Sequence, residues 1–293
     1  MRIDAHCHTD CSDGNISIEE RIGIVRTCGY DAATITDHDF ISTEQVLRAK
    51  AAAGDMPYIP GIELTLSHEG RIVHILGYYV DPANRPLLQH ITRVQNLDQA
   101  YTSMLIELFR PEGIHFGLND LVSPSIHTYY SLRFIKRISL ELYSYNRRTT
   151  LTAFLEALGR VGMQYADFSP WPVREGIELI HDAGGYAVLA HPGGKHDIHM
   201  RALGYLLHDE SHIRQYADWG LDGIEVFSPV HTESETVFFA AAAKRFNLLK
   251  TAGSDCHGDD ALTGPMQMGV FTDIPHDLYD RMLSYHKVQK CIV

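Results

Sequence analysis

An α/β barrel is the fold class this sequence predicts. Short apolar, strand-like runs alternate with helical stretches at both ends of the chain, which implies a parallel sheet covered by helices. Histidines and carboxylates recur where those runs end, the rim on which barrel active sites form. The length of 293 residues suits one barrel, which typically takes about 250.

Taken in order, Ile3 to Ala5 begins a strand, and Ser17-Ile-Glu-Glu20 is a capping box opening a helix that ends near Gly29. Ala32 to Thr36 reads as a buried strand. Ser42-Thr-Glu-Gln45 caps a second helix, which stops at Gly54. Tyr58 to Leu64 and Arg71 to Tyr78 are strands joined across the turn-like Ser67-His-Glu-Gly70. Later, Glu175 to Ala183 is helical, Tyr186 to Ala190 and Gly223 to Phe227 are strands, Glu233 to Arg245 is a helix, and Leu248 to Ala252 a further strand. Between them the pattern changes. From about Pro82 to Tyr165 helical periodicity dominates, as in Val94 to Phe109 and Leu151 to Leu158, broken at Arg110-Pro-Glu-Gly113 and Ser123-Pro124. The chain therefore divides into a discontinuous barrel, 1–81 and 166–293, and a helical insertion, 82–165. Leaving from a strand's carboxyl end, the insertion would overhang the active face as a substrate lid.

Composition narrows the function. A net charge of -12 argues against a protein that coats polymeric nucleic acid, while leaving room for a small anionic substrate, because bound metals reverse the local charge. The cysteines, Cys7, Cys11, Cys28, Cys256 and Cys291, are odd in number and lack CxxC spacing, which fits a reducing compartment. The first ligand cluster leaves no room for a leader, and no apolar run approaches the roughly 20 residues of a membrane span. A cytoplasmic protein with no membrane partner is expected.

The chemistry sits in the clusters. His6-Cys-His8 and Asp255-Cys-His257 each place two side chains on one face of a strand, since residues i and i+2 point the same way. Cys7 and Cys256 then turn away and read as packing residues. Asp13, Asp37-His38-Asp39, Glu63, His74 and His191 supply further donors at or beside strand ends. A lone histidine is usually a hydrogen-bonded structural residue, but His6, His8, His38, His74, His191 and His257 share one address. Imidazole with carboxylate suits zinc, iron or manganese. The pattern predicts a metal-dependent hydrolase.

These residues resemble the PHP (polymerase and histidinol phosphatase) superfamily of metal-dependent phosphoesterases. The likeness is carried by His6-Cys-His8 with Ser12-Asp13-Gly14, Thr36-Asp37-His38-Asp39, Gly61-Ile-Glu63, His74-Ile-Leu-Gly77, Ala190-His191-Pro192, Gly223-Ile-Glu-Val226 and Gly253-Ser-Asp255-Cys-His257, nearly all of the chain outside the insertion. The resemblance implies a distorted (β/α)7 barrel holding two or three divalent ions, manganese or zinc, with iron as the further option. His6, His8, Glu63 and Asp255 would hold the first; Glu63 would bridge to a second completed by His74 and His191; Asp13, His38 and His257 would hold a third. Paired metals supply hydroxide near neutral pH and take up phosphoryl charge. His231, just past a strand, is a candidate to protonate the leaving group, and Asp37 and Asp39 are candidates to orient His38.

Substrate contacts are sought among Arg133, Lys136 and Arg137 of the insertion and Lys195 on the rim, with Tyr129 or Tyr130 as a base-stacking surface. The expected substrate is a small phosphorylated metabolite, best the 3′-phosphate of a nucleoside 3′,5′-bisphosphate. A cyclic phosphodiester of a ribose or nucleotide is the alternative within the family. An amidohydrolase-type metal hydrolase and a non-catalytic metal-binding module are the alternatives outside it. The family's nucleotide phosphatases carry a Ser-Arg-x-His-like stretch that Ser125 to Arg133 does not match cleanly.

Overall fold

The computed structural model describes residues 1–121, 130–144, 146–168, 171–194, 201–258, 267–271 and 273–292. Its sheet is curled and six-stranded, with strands adjacent in chain order: β1 (Ala33–Ile35), β2 (Tyr58–His68), β3 (Arg71–Tyr78), β4 (Tyr186–Leu189), β5 (Gly223–Phe227) and β6 (Leu249–Ala252). β1 pairs parallel with β2, and β4, β5 and β6 are parallel to one another, but β3 runs against both its neighbours. The parallel sheet expected from βα alternation is corrected to a mixed one. Its cause is local: Glu69 and Gly70, at φ 53° and 68°, close a tight turn that sends the chain straight back.

Helices α1 (Ile18–Thr27) and α2 (Thr43–Ala53) cover one side of the sheet and α6 (Val173–Asp182) another. Ser17 and Glu20 form the expected reciprocal capping box, and the Ser42 hydroxyl accepts from Gln45 N. Ile22 and Val25 of α1 and Ile177 and Ile180 of α6 join Ile35, Ile62, Ile75, Val188 and Ile224 in one apolar core.

The amino-terminal segment lies between the two edges of this sheet. Ile3 bridges Ala32, and Cys7 bridges Cys256. On one side Thr36 N donates to Cys7 O; on the other, Ala5 N donates to Ala252 O and His8 N to Cys256 O.

The described residues between 85 and 168 are largely helical. Helices α3 (Arg85–Phe109), α4 (Tyr130–Glu141) and α5 (Arg147–Arg160) enclose a second apolar cluster that includes Leu105, Phe109, Phe134, Ile138, Phe154 and Leu158. The route into it differs from expectation. Because β3 is antiparallel, it ends at Tyr78, opposite Tyr186 at the start of β4, on the rim away from the ligands. There Asn84 caps α3 and also donates to Asp182 O at the end of α6. Helix α3, 25 residues and about 37 Å long, then returns along α6. His90 packs edge-on against Trp171, just ahead of α6, and α4 reaches the ligand rim beyond. Among the described residues no helix is long and apolar enough to cross a membrane.

Candidate metal centre

Strand geometry brings the nine expected ligands to one rim. His6 and His8 project together from the amino-terminal segment, while Cys7 turns away and donates its thiol to Thr34 O. Glu63 sits within β2, and His38 bridges to it just past β1. His74 lies near the start of β3, and its carbonyl accepts from Ala190 N, next to His191. The reversed β3 thus delivers a ligand from its beginning to the rim that parallel strands reach at their ends. Asp39, His191 and Asp255 have φ of 47°, 22° and 54°, a left-handed region costing roughly 1–3 kcal/mol per non-glycine residue. Such strain persists where packing and hydrogen bonds over-determine it.

Three groups of donors emerge, joined through shared residues: His6, His8, Glu63 and Asp255; His38, Glu63 and His74; and His8, Asp13, His38 and His257. In the first, His6 Nε2 and His8 Nε2 are 3.2 Å apart. Glu63 Oε2 lies 2.9 and 3.2 Å from them, and Asp255 Oδ1 3.4 and 3.0 Å. Ligands at tetrahedral distance from a zinc-type ion are spaced by about 3.3 Å, so these atoms fit one ion. The other oxygen of Glu63, Oε1, faces His74 Nδ1 at 3.1 Å and His191 Nε2 at 3.0 Å. One carboxylate therefore addresses two groups. In the third group Asp13 Oδ2 is 3.0 Å from His257 Nε2, while Asp13 Oδ1 is 3.8 Å from His8 and 4.0 Å from His38. His38 stands between Glu63 and Asp13, with Nδ1 3.2 Å from Glu63 Oε2, rather than with Asp13 and His257 alone.

The donor atoms fit cations better than one another. Both ring nitrogens of His74 and Nδ1 of His8 are buried without a hydrogen-bond partner among the described residues, although His74 Nδ1 is close to Glu63. Proximity without hydrogen-bond geometry suits lone pairs converging on an ion. Burial opposes charge throughout, yet the histidines around Glu63 hold its carboxyl well below the usual range, and those around Asp255 lower it too. Burial likewise opposes protonation of His8, but Asp255 and Glu63 outweigh it and push the imidazole up to about 10. His38 goes the other way, with burial lowering it despite Glu63 and Asp13.

A second layer holds the ligands, and here the sequence reading was incomplete. Glu225, a carboxylate in the buried strand β5, lies 3.1 Å from His6 Nδ1 through Oε1 and accepts from His191 N at 2.8 Å through Oε2. A glutamate between Ile224 and Val226 was its sequence signal. Arg21, wholly buried, donates to His8 O and Cys256 O, fastening the two histidine-bearing segments together. At Gly253 any Cβ would come within 2.3 Å of His6 Cβ, so glycine is required there.

Asp37 accepts from Thr9 N, Thr9 Oγ1, Ser12 Oγ and Gln45 Nε2, four donors that fix the loop leading to Asp13. Asp39 accepts from Thr65 N, and burial pushes its carboxyl up to about 7. His231 engages backbone with both nitrogens: Nδ1 donates to Val226 O, and Nε2 accepts from Gly193 N. To protonate a leaving group it would first have to release one of these. Arg133 points to the rim, where Nε and one amino group of its guanidinium donate to the carbonyls of Asp10, Ser12 and Gly14. Arg137 pairs with Glu141 in the exposed part of α4 and lies over the Phe116 ring, and Lys136 is half-buried beside it. Tyr130 is buried at the start of α4. Lys195, Tyr129 and the Ser125 to Thr128 stretch lie outside the described residues.

No family model matches the chain. Curated relatives do. The chain is 26% identical over 281 residues to a 3',5'-nucleoside bisphosphate phosphatase of Chromobacterium violaceum, covering 93% of this chain and 92% of that protein. It is 25% identical over 259 residues to a 5'-3' exoribonuclease of Haemophilus influenzae, with 87% and 90% covered. A phosphoribosyl 1,2-cyclic phosphate 1,2-diphosphodiesterase of Eggerthella lenta is 27% identical over 263 residues, with 87% and 94% covered. Among solved structures, a Bifidobacterium adolescentis protein provisionally described as a metal-dependent phosphoesterase superposes with a TM-score of 0.79 at 22% identity, covering 97% of this chain and 96% of that one. A Chromobacterium violaceum protein described as an amidohydrolase, with bound sulfate and no metal, gives 0.74 at 24%, with 97% of each covered. The fold is theirs, and the relatives are named as phosphatases, phosphodiesterases and nucleases. The resemblance to PHP-type metal-dependent phosphoesterases, read from the motifs, stands.

Proposed function

We propose that this protein hydrolyses phosphate esters at the centre built around Glu63. The observation that carries this is the division of that one carboxylate, Oε2 toward His6 and His8 and Oε1 toward His74 and His191. Divalent ions held there, manganese or zinc, would supply charge for the phosphoryl oxygens and lower the pKa of an attacking water. The chain's own residues do the positioning. Glu225 fixes the His6 ring, Asp37 clamps the loop before Asp13, and Arg21 holds the two terminal ligand segments in register. We also read Ile3–His8 as a seventh stave that closes the barrel, and residues 82–165 as a lid over its ligand rim.

The best substrate is the 3′-phosphate of a nucleoside 3′,5′-bisphosphate. Support comes from the relative so named, which aligns over nearly the full length of both chains. The relative named as an exoribonuclease qualifies the expectation that polymeric nucleic acid is not a partner, and the cyclic phosphodiesterase supports a second small-molecule reading. Phosphate and nucleotide release from adenosine 3′,5′-bisphosphate, a ribose 1,2-cyclic phosphate and a short 5′-phosphorylated RNA, with manganese-loaded protein, decides among them. AMP formed fastest from the bisphosphate supports the proposal. Mononucleotides formed fastest from RNA would replace it with nuclease activity, and silence on all three would refute the phosphoesterase reading.

A further inference from the structure

We propose that the tip of the β2–β3 hairpin carries a separate cation site, built from His68, Glu69 and His212 and suited to a zinc-type ion. Each residue offers one donor atom, and the three lie within 4.8 Å of one another. The Glu69 carboxylate is 3.9 Å from His68 Nε2 and 3.8 Å from His212 Nε2. These separations are too long for hydrogen bonds and slightly longer than the edge of about 3.3 Å expected around a tetrahedral ion. A small rotation of Glu69, an exposed side chain, closes the difference.

Both imidazoles are held from behind. His212 Nδ1 lies 2.9 Å from Asp209 Oδ1, within the capping box that starts the helix Glu210–Asp218. In the capping box Asp209 N donates to the same nitrogen at 3.1 Å; ligation through Nε2 requires the tautomer in which Nδ1 instead carries the proton and donates it to Asp209 Oδ1. Gln215 hydrogen-bonds the His68 ring, and Tyr216 and Trp219 wall it edge-on, with centroids 5.3 and 5.5 Å away. His68 Nε2 is left buried with no hydrogen-bond partner among the described residues. A buried nitrogen without a partner is costly, and an ion between it, Glu69 and His212 relieves that cost. Two imidazoles and a carboxylate with an open fourth position form a donor set zinc accepts readily.

The site shares no residue with the centre around Glu63, from which it is separated by roughly 16 Å of strand. An ion there would pin the hairpin tip to the helix Glu210–Asp218 and so brace the two strands that deliver Glu63 and His74. The test is zinc retained per chain after saturation and desalting, for the intact protein and for Glu69→Ala and His212→Asn. We expect each variant to lose one zinc equivalent while its ester hydrolysis is unchanged, and the zinc-dependent rise in melting temperature to shrink. Equal zinc counts in all three proteins would overturn the proposal. Should His212→Asn fail to fold, because it also breaks the capping box, Glu69→Ala decides alone. The zinc count stays readable whether or not the protein proves to be a phosphoesterase.

Discussion

The guanidinium of Arg133 and the main chain of Ser12, 121 residues apart in sequence, are joined by a hydrogen bond of 2.8 Å from Nε. Further bonds from the same group to the Asp10 and Gly14 carbonyls bracket Asp13. A helix of the insertion thus grips the loop that carries a ligand.

Arg133→Ala should loosen that loop. Hydrogen bonds made by a charged group contribute about 1.5–3 kcal/mol, so turnover at limiting metal should fall by about tenfold or more. Arg133→Lys keeps the charge but not the planar fork and should recover only part of the loss. Rates measured across a manganese titration check this: a deficit that saturating metal repairs places the effect in ligand positioning, and an unchanged titration curve would show that the grip is idle.

Glu225→Gln should weaken metal binding without unfolding the chain, since the amide matches the carboxylate in shape. Removing an outer carboxylate from a ligating histidine typically costs 10–100-fold in affinity. Calorimetric titration of manganese into stripped protein would show it. Equal affinities would mean that Glu225 serves only the His191 amide.

Metal uptake should release protons. In the metal-free centre His8 stays protonated up to about 10, because Asp255 and Glu63 outweigh burial, and a cation has to displace that proton. In weakly buffered, mildly alkaline solution, manganese should therefore acidify the medium, and apparent affinity should rise with pH. A pH-stat trace that stays flat on metal addition contradicts this account.

His90 should make stability fall in acid. Burial, aided by Arg93, lowers its imidazole to about 4, from the 6.5 expected in the unfolded chain. Between those values the unfolded state binds more protons, so the stabilising difference is complete above about 6.5 and lost as pH falls through about 4, to the extent of about 3 kcal/mol. Urea midpoints for the intact protein and His90→Phe should converge in acid and separate toward neutrality, apart from a constant offset. Parallel midpoints at all pH values would show that His90 titrates normally.

The convergence of the candidate ligands on one rim was legible because each combines two local signals, a metal-binding side chain and the end of an apolar run. His6 and His8 needed only strand alternation. What stayed hidden depended on direction and on distant partners. The turn at Glu69-Gly70 is visible in the sequence, but the direction it gives β3, and so where the insertion departs, depends on pairing with β4 more than 100 residues away. The grip of Arg133 on the loop before Asp13 is not legible in the sequence, because the carbonyls it donates to lie far away along the chain. Glu225 lies within Gly223-Ile-Glu-Val226 with nothing local to mark its role, since a carboxylate serving another ligand differs in no local way from one serving a metal. Asp37 beside His38 invited pairing by proximity, but its four donors come from elsewhere.

The amino-terminal segment, hydrogen-bonded between β1 and the Ala252–Cys256 stretch, sets a timetable for the nascent chain. Half of the first donor group, His6 and His8, is synthesised well ahead of the rest, and Asp255 arrives 247 residues after His8. Until then no vectorially emerging fragment holds all four donors of that group. Metal capture by that group therefore waits for Asp255, after the sheet has already been laid down.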